Sequence, residues 1–140
     1  DEHRRESLLT LSRLLTGAGE FSAVVLSRFD SAQQMLESAY ALQKQLIELE
    51  NREDEYRNDV LLQRVADTLH ILGKTLRYNG RLHDSEHSLK SALDLRRKYA
   101  SNFVEDLGES GLKVADTLHE LGVLHLRMHS LTTAKSFLSL

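Results

Sequence analysis

Apolar residues recur at steps of three and four along most of this chain, the spacing that lines one face of an α-helix. In the first segment Leu8, Leu11 and Leu15 form such a stripe from Glu2 to about Thr16, with Leu9 and Leu14 beside it. Gly17-Ala18-Gly19 interrupts the stripe, each glycine weakening a helix by about 1 kcal/mol relative to alanine. It resumes at Phe21, Val24 and Val25, so residues 1–27 fit either one kinked helix or a helix followed by a loop. Asp30 and Ser31 offer N-caps for a second helix, where Ala32, Met35, Leu36, Ala39, Leu42, Leu46 and Leu49 share a face. Asn58 or Asp59 caps a third, with Leu62, Val65, Leu69, Leu72 and Leu76 as its core face. That helix stops at Tyr78, because Asn79-Gly80 tolerates the positive φ of a turn. A fourth begins near His83-Asp84 and buries Leu82, Leu89, Ala92, Leu93 and Tyr99. Gly108 and Gly111 in DLGESG predict a connector, and a last helix pair starts near Leu112 and breaks at His129-Ser130.

Within this pattern one phrase occurs twice. Val-Ala-Asp-Thr-Leu-His stands at 65–70 and again at 114–119, and Leu-Gly follows each copy, at Leu72-Gly73 and Leu121-Gly122. A repeated helix–turn–helix unit is the signature of a solenoid, in which each hairpin buries its faces against its neighbours. Stepping back 53 residues from Ser85, Leu89 and Ala92 lands on Ala32, Leu36 and Ala39, so a third copy is present in weakened form.

The placement of these residues resembles the tetratricopeptide repeat, a pair of helices A and B with a few preferred positions. With Leu72-Gly73 on that family's Leu-Gly pair, Leu69 and Leu76 fall on its large helix A positions. Gly80 falls on the turn, Ser85 and Ala92 on the small helix B positions, and Leu89 on the large one. Leu121-Gly122 on the same pair gives those roles to Leu118, His125, Ala134 and Leu138, with His125 a packing residue. The phrase VADTLH-x-LG with SALDLRRKY resembles the kinesin light chain type of repeat. The resemblance implies an all-α, right-handed α-solenoid of antiparallel helix pairs. Residues 1–50 are expected to be a degenerate repeat, 58–100 a full one and 112–140 a truncated one. Because the chain begins at Asp1 and its apolar pattern runs to Leu140, the expectation is a segment excised from a larger protein.

Composition narrows the function. The 140 residues are 41% hydrophobic and 28% charged, with a net charge of −3, no Pro and no Cys. That balance is ordinary for a globular domain and gives no global case for nucleic acid. Arg81, Lys90, Arg96, Arg97 and Lys98 would be the basic set for such a role, on a helix B that faces the convex side. Without Cys there are no disulfides or thiolate metal sites. No apolar run reaches the roughly 18 residues of a membrane span, and the start carries no signal-peptide pattern, so the expected compartment is the cytoplasm. The acidic run 48–59 reads as a solvated face.

Candidate chemistry is sparse. His83 with His87, and His125 with His129, have the i, i+4 spacing of two metal ligands, yet no third ligand completes either site. Asp67 with His70, and Asp116 with His119, could orient a general base, but no nucleophile accompanies them. DLGESG lacks the Lys-Ser/Thr and the preceding strand of a phosphate loop. The chain is therefore expected to be non-enzymatic, without a cofactor, and to bind a peptide or partner subunit. The resemblance places that contact on helix A, which lines the concave groove. It assigns the contact to Asp67, His70, Ile71, Lys74, Arg77 and Tyr78, and to Asp116, His119, Glu120, Val123, Leu126 and Arg127. Residues 74–98 carry seven basic and three acidic residues, a net of +4. Lys74 and Arg77, one turn apart, suit a carboxylate, and Tyr78 an apolar side chain. A partner of acidic character follows. The alternative is self-association, as a homo-oligomer, through apolar helix faces that a further repeat would cover.

Overall fold

The computed structural model describes residues 2–49, 55–102 and 107–139, and these form five α-helices with no strand among them. They are α1 (Glu2–Val24), α2 (Phe29–Leu49), α3 (Glu55–Tyr78), α4 (Leu82–Asn102) and α5 (Leu107–Leu138). The first four make two antiparallel hairpins, α1–α2 and α3–α4. The hairpins stack through α2 on α3, and α4 then packs on α5. Lighter contacts join α1 to α3 and α3 to α5, so these three helices line up along one face of an α-solenoid.

The hairpins are closed by left-handed residues. Gly80 has φ of 78°, and around it the Gly80 amide donates to the Arg77 carbonyl (3.1 Å) and the Arg81 amide to the Leu76 carbonyl (2.9 Å). That pairing satisfies the last carbonyls of α3. At the matching turn between α1 and α2 the left-handed residue is Ser27, with φ of 52°. Close approach at two glycines then draws each hairpin together. A Cβ placed on Gly73 would lie 2.5 Å from Leu89 Cγ, and one on Gly19 would lie 2.8 Å from Leu36 Cγ. At this range helix B hydroxyls reach the helix A backbone. Ser85 donates to the Gly73 carbonyl (2.6 Å) and Ser88 to that of Leu69 (2.8 Å).

The core follows the expected faces of α2, α3 and α4, except that Leu49 at the end of α2 is exposed. Ala32, Leu36, Ala39 and Leu46 are buried, as are Val65, Leu69, Leu72, Leu76, Leu89, Ala92 and Leu93. Elsewhere the structure corrects the sequence reading. Residues 2–24 are one continuous helix, because the glycines sit inside a packed hairpin whose tight contact at Gly19 needs the missing side chain. Its buried residues are Ser12, Gly19 and Ser22, whereas Leu11, Leu14, Phe21, Val24 and Val25 are exposed. Helices α2 and α3 begin at Phe29 and Glu55, ahead of the expected caps. Of the acidic run, residues 50–54 lie outside the described residues. Gly108 and Gly111 belong to the first turns of α5 and not to a connector. Most consequentially, α5 does not break at His129-Ser130; it runs straight on, and Ala134 and Leu138 stand exposed where a second helix was expected to pack.

The glycine contacts yield a test. Gly73→Ala should destabilise the chain by about 1–3 kcal/mol through overpacking against Leu89. Gly17→Ala, where nothing lies within 4 Å, should stabilise it by about 0.5–1 kcal/mol. Urea denaturation followed by circular dichroism measures both.

Candidate partner-binding groove on the helix A face

Twelve residues were expected on this face, and the structure divides them into three groups. The first lies in the seam between α3 and α5. Thr117 of the second VADTLH copy is fully buried there, and its Oγ1 accepts from Arg96 (2.7 Å) and sits 3.0 Å from His70 Nδ1. Arg96, buried on α4, also donates to the Lys113 carbonyl (3.0 Å) and pairs with Asp67 (2.9 Å). His70 Nε2 lies 3.3 Å from Asp116. One turn further along, Arg77 pairs with Glu120 at 3.0 Å, with both side chains almost buried. Asp67, His70, Arg77, Asp116 and Glu120 thus hold one another and Arg96.

Protonation at this seam has a defined direction. Arg96 can only donate, so the His70 Nδ1 it faces at 3.3 Å is an acceptor and the proton resides on Nε2, toward Asp116. Burial lowers the His70 pKa from the ordinary 6.5; Arg96 and Lys74 add to that, and Asp116 and Glu120 oppose it.

The same arrangement recurs one seam earlier. Thr68 of the first VADTLH copy is fully buried, accepts from Gln43 Nε2 on α2 (3.0 Å), and lies 3.2 Å from the Thr16 hydroxyl of α1. Thr16, Gln43 and Thr68 occupy one seam as His70, Arg96 and Thr117 occupy the next. The sequence pattern divides VADTLH into apolar core and polar groove positions and gives its threonine neither role. The available signal is that both copies keep Thr at the same helix position, three residues after a Val and four before a Leu. Asn79 completes the earlier seam by donating to Asp30 (2.8 Å) and Gln33 (2.9 Å).

The second group borders a cavity of about 370 Å³ between α1 and α3. Ile71, Lys74 and Tyr78 form its α3 wall; Glu20, Ala23 and Val24 form the α1 wall, and Ser27 and Phe29 close one end. The rings of Tyr78 and Phe29 stack with centroids 5.2 Å apart, and the Arg77 guanidinium lies 4.6 Å from the Tyr78 ring. Half-buried Lys74 makes no ion pair among the described residues. The α1 residues here were not expected, since α1 showed no repeat motif. The third group, His119, Val123, Leu126 and Arg127, lies along α5 and does not border this cavity. His125, expected as a packing residue, is exposed and bonds Glu86 at 2.9 Å, which lowers the Glu86 pKa. Among the described residues no cluster of three metal-ligating side chains occurs, and no helix is long and apolar enough to cross a membrane.

Comparison with known proteins adds one match. Residues 65–100 fit the family model described as tetratricopeptide repeat, a span covering the later part of α3 and nearly all of α4. No curated protein and no solved structure matches the chain.

The seam has a pH signature. Since the His70 pKa is lowered on folding, the unfolded chain takes up this proton first as pH falls. The stability tied to His70 is complete above pH 6.5 and is lost as pH falls from there through the lowered folded value. Thermal unfolding from pH 7.5 to 5 should show this loss in the native chain, and a flatter profile in His70→Gln.

Proposed function

Because residues 65–100 match the tetratricopeptide repeat, we propose that the chain is a non-enzymatic interaction module whose α1–α3 groove binds a peptide with an apolar anchor beside a carboxylate. Tetratricopeptide repeats mediate protein–protein interactions. The observation that carries it is the cavity whose wall combines Lys74, without an ion pair among the described residues, with the apolar surfaces of Val24, Phe29, Ile71 and Tyr78. An apolar side chain entering there is desolvated, and its neighbouring carboxylate meets the ammonium at the rim, the division of labour found in small recognition pockets. Glu20 on the opposite wall gives the groove walls of opposite charge and so favours one orientation of the peptide.

Arg77 has a different part from the one its position on the helix suggests. Its charge is matched by Glu120, and its guanidinium lies against the Tyr78 ring that borders the cavity. It positions the anchor wall and leaves the carboxylate to Lys74. The remaining predicted contacts, His119, Val123, Leu126 and Arg127, extend the same face along α5 and suit a ligand longer than the cavity.

The test is a panel of fluorescent peptides bearing one large apolar residue next to Asp or Glu, titrated with the chain and followed by polarisation. For peptides that bind, Lys74→Glu should weaken affinity by at least about ten-fold, roughly 1.4 kcal/mol, while the unfolding midpoint stays close to that of the native chain. Unchanged affinity in Lys74→Glu would overturn the assignment.

A further inference from the structure

Helix α5 repeats the residues of a helical hairpin without being one. In the α3–α4 hairpin, Ser85 and Leu89 lie 12 and 16 positions after Gly73, and Leu89 fills the notch that Gly73 leaves. Ala134 and Leu138 lie 12 and 16 positions after Gly122. The residue corresponding to left-handed Ser27 and Gly80 is His129, which is helical here. The segment that should return therefore continues straight. At 1.5 Å per residue, Leu138 stands about 24 Å along the axis from Gly122.

Two surfaces are left open by this. Nothing lies within 4 Å of a Cβ placed on Gly122. Leu118 is 43% exposed, whereas its equivalent Leu69, beneath α4, is 5% exposed. Beyond the missing turn, Leu131, Phe137 and Leu138 are exposed, the last at 87%. The notch and the residues that fit it belong to one helix and cannot meet within it.

We propose that α5 is a self-association element: two copies of the chain pair their α5 helices antiparallel, and Leu138 of each enters the Gly122 notch of the other. This is a reciprocal exchange of the second helix of a hairpin, the low-cost route from a closed hairpin to a dimer. The register is set by the chain's own repeat. With Gly122 opposite Leu138, the two-fold axis passes Ser130, midway between them, and Ala134 faces Leu126. The groove between α1 and α3 lies on other helices and remains open in such a dimer, whereas Leu126, on the α5 extension of that face, is covered.

The experiment is light scattering on the whole chain across a concentration series, repeated on two variants. The native chain should reach twice the 15.9 kDa of one copy. Gly122→Leu fills the notch and Leu138→Asp disables the residue that enters it; both sites are open in the single copy, so helicity by circular dichroism should be retained. Each variant alone should dimerise at least about ten-fold more weakly, as expected for an anchor residue and its pocket. Mixed together they should recover a heterodimer, since Leu138 of the first variant meets an intact notch on the second. A native chain that stays monomeric at its highest soluble concentration overturns the proposal. So does a Gly122→Leu variant that dimerises like the native chain, or a mixture that forms no heterodimer.

Discussion

Stacked helical hairpins must bury polar backbone-facing positions as well as leucines, and in this protein a single threonine settles that problem at each seam. Thr68 and Thr117 are both inaccessible to solvent, and each accepts a hydrogen bond from a long polar side chain on the preceding second helix. Buried polar groups are costly unless satisfied, and a satisfied group fixes one alignment of its partners. The leucines around these knots would tolerate small slides between hairpins; a hydroxyl paired to a fixed donor does not. These two oxygen atoms therefore help to fix the register of the solenoid.

That dependence explains how the helix A face divides. A residue on this face points either across to the next helix A or outward over the groove, and the two directions are one helical step apart. His70 and Arg77 turn toward α5 and are used in holding it, while Ile71, Lys74 and Tyr78 turn toward α1 and border a cavity. The groove is shaped by the seam, because Arg77 both anchors α5 through Glu120 and rests against the ring that lines the cavity.

The fold was largely legible where large apolar residues carry the packing, as in α3 and α4. It was obscured in α1, whose contact face is Ser12, Gly19 and Ser22; small residues that permit close approach contribute little to an apolar pattern. The course of α5 was hidden for a different reason. Spacing records which residues would pair in a hairpin, and Ala134 and Leu138 keep it, but the turn depends on one backbone angle at His129, which spacing does not record. Of the expected site, Lys74, Ile71 and Tyr78 border the cavity. Asp67 and Glu120 carry charges that a helical wheel alone cannot assign to groove or seam, since their partners Arg96 and Arg77 come from distant parts of the chain. The α1 wall carried no motif at all.

The two knots share a geometry and differ in chemistry. Thr16, Gln43 and Thr68 carry no titratable group, whereas His70, Arg96 and Thr117 are flanked by Asp67 and Asp116 and respond to protons and salt. One knot is neutral and the other ionisable. The joint that holds a titratable imidazole is the one that seats α5, the helix on which Leu131, Phe137 and Leu138 stand exposed.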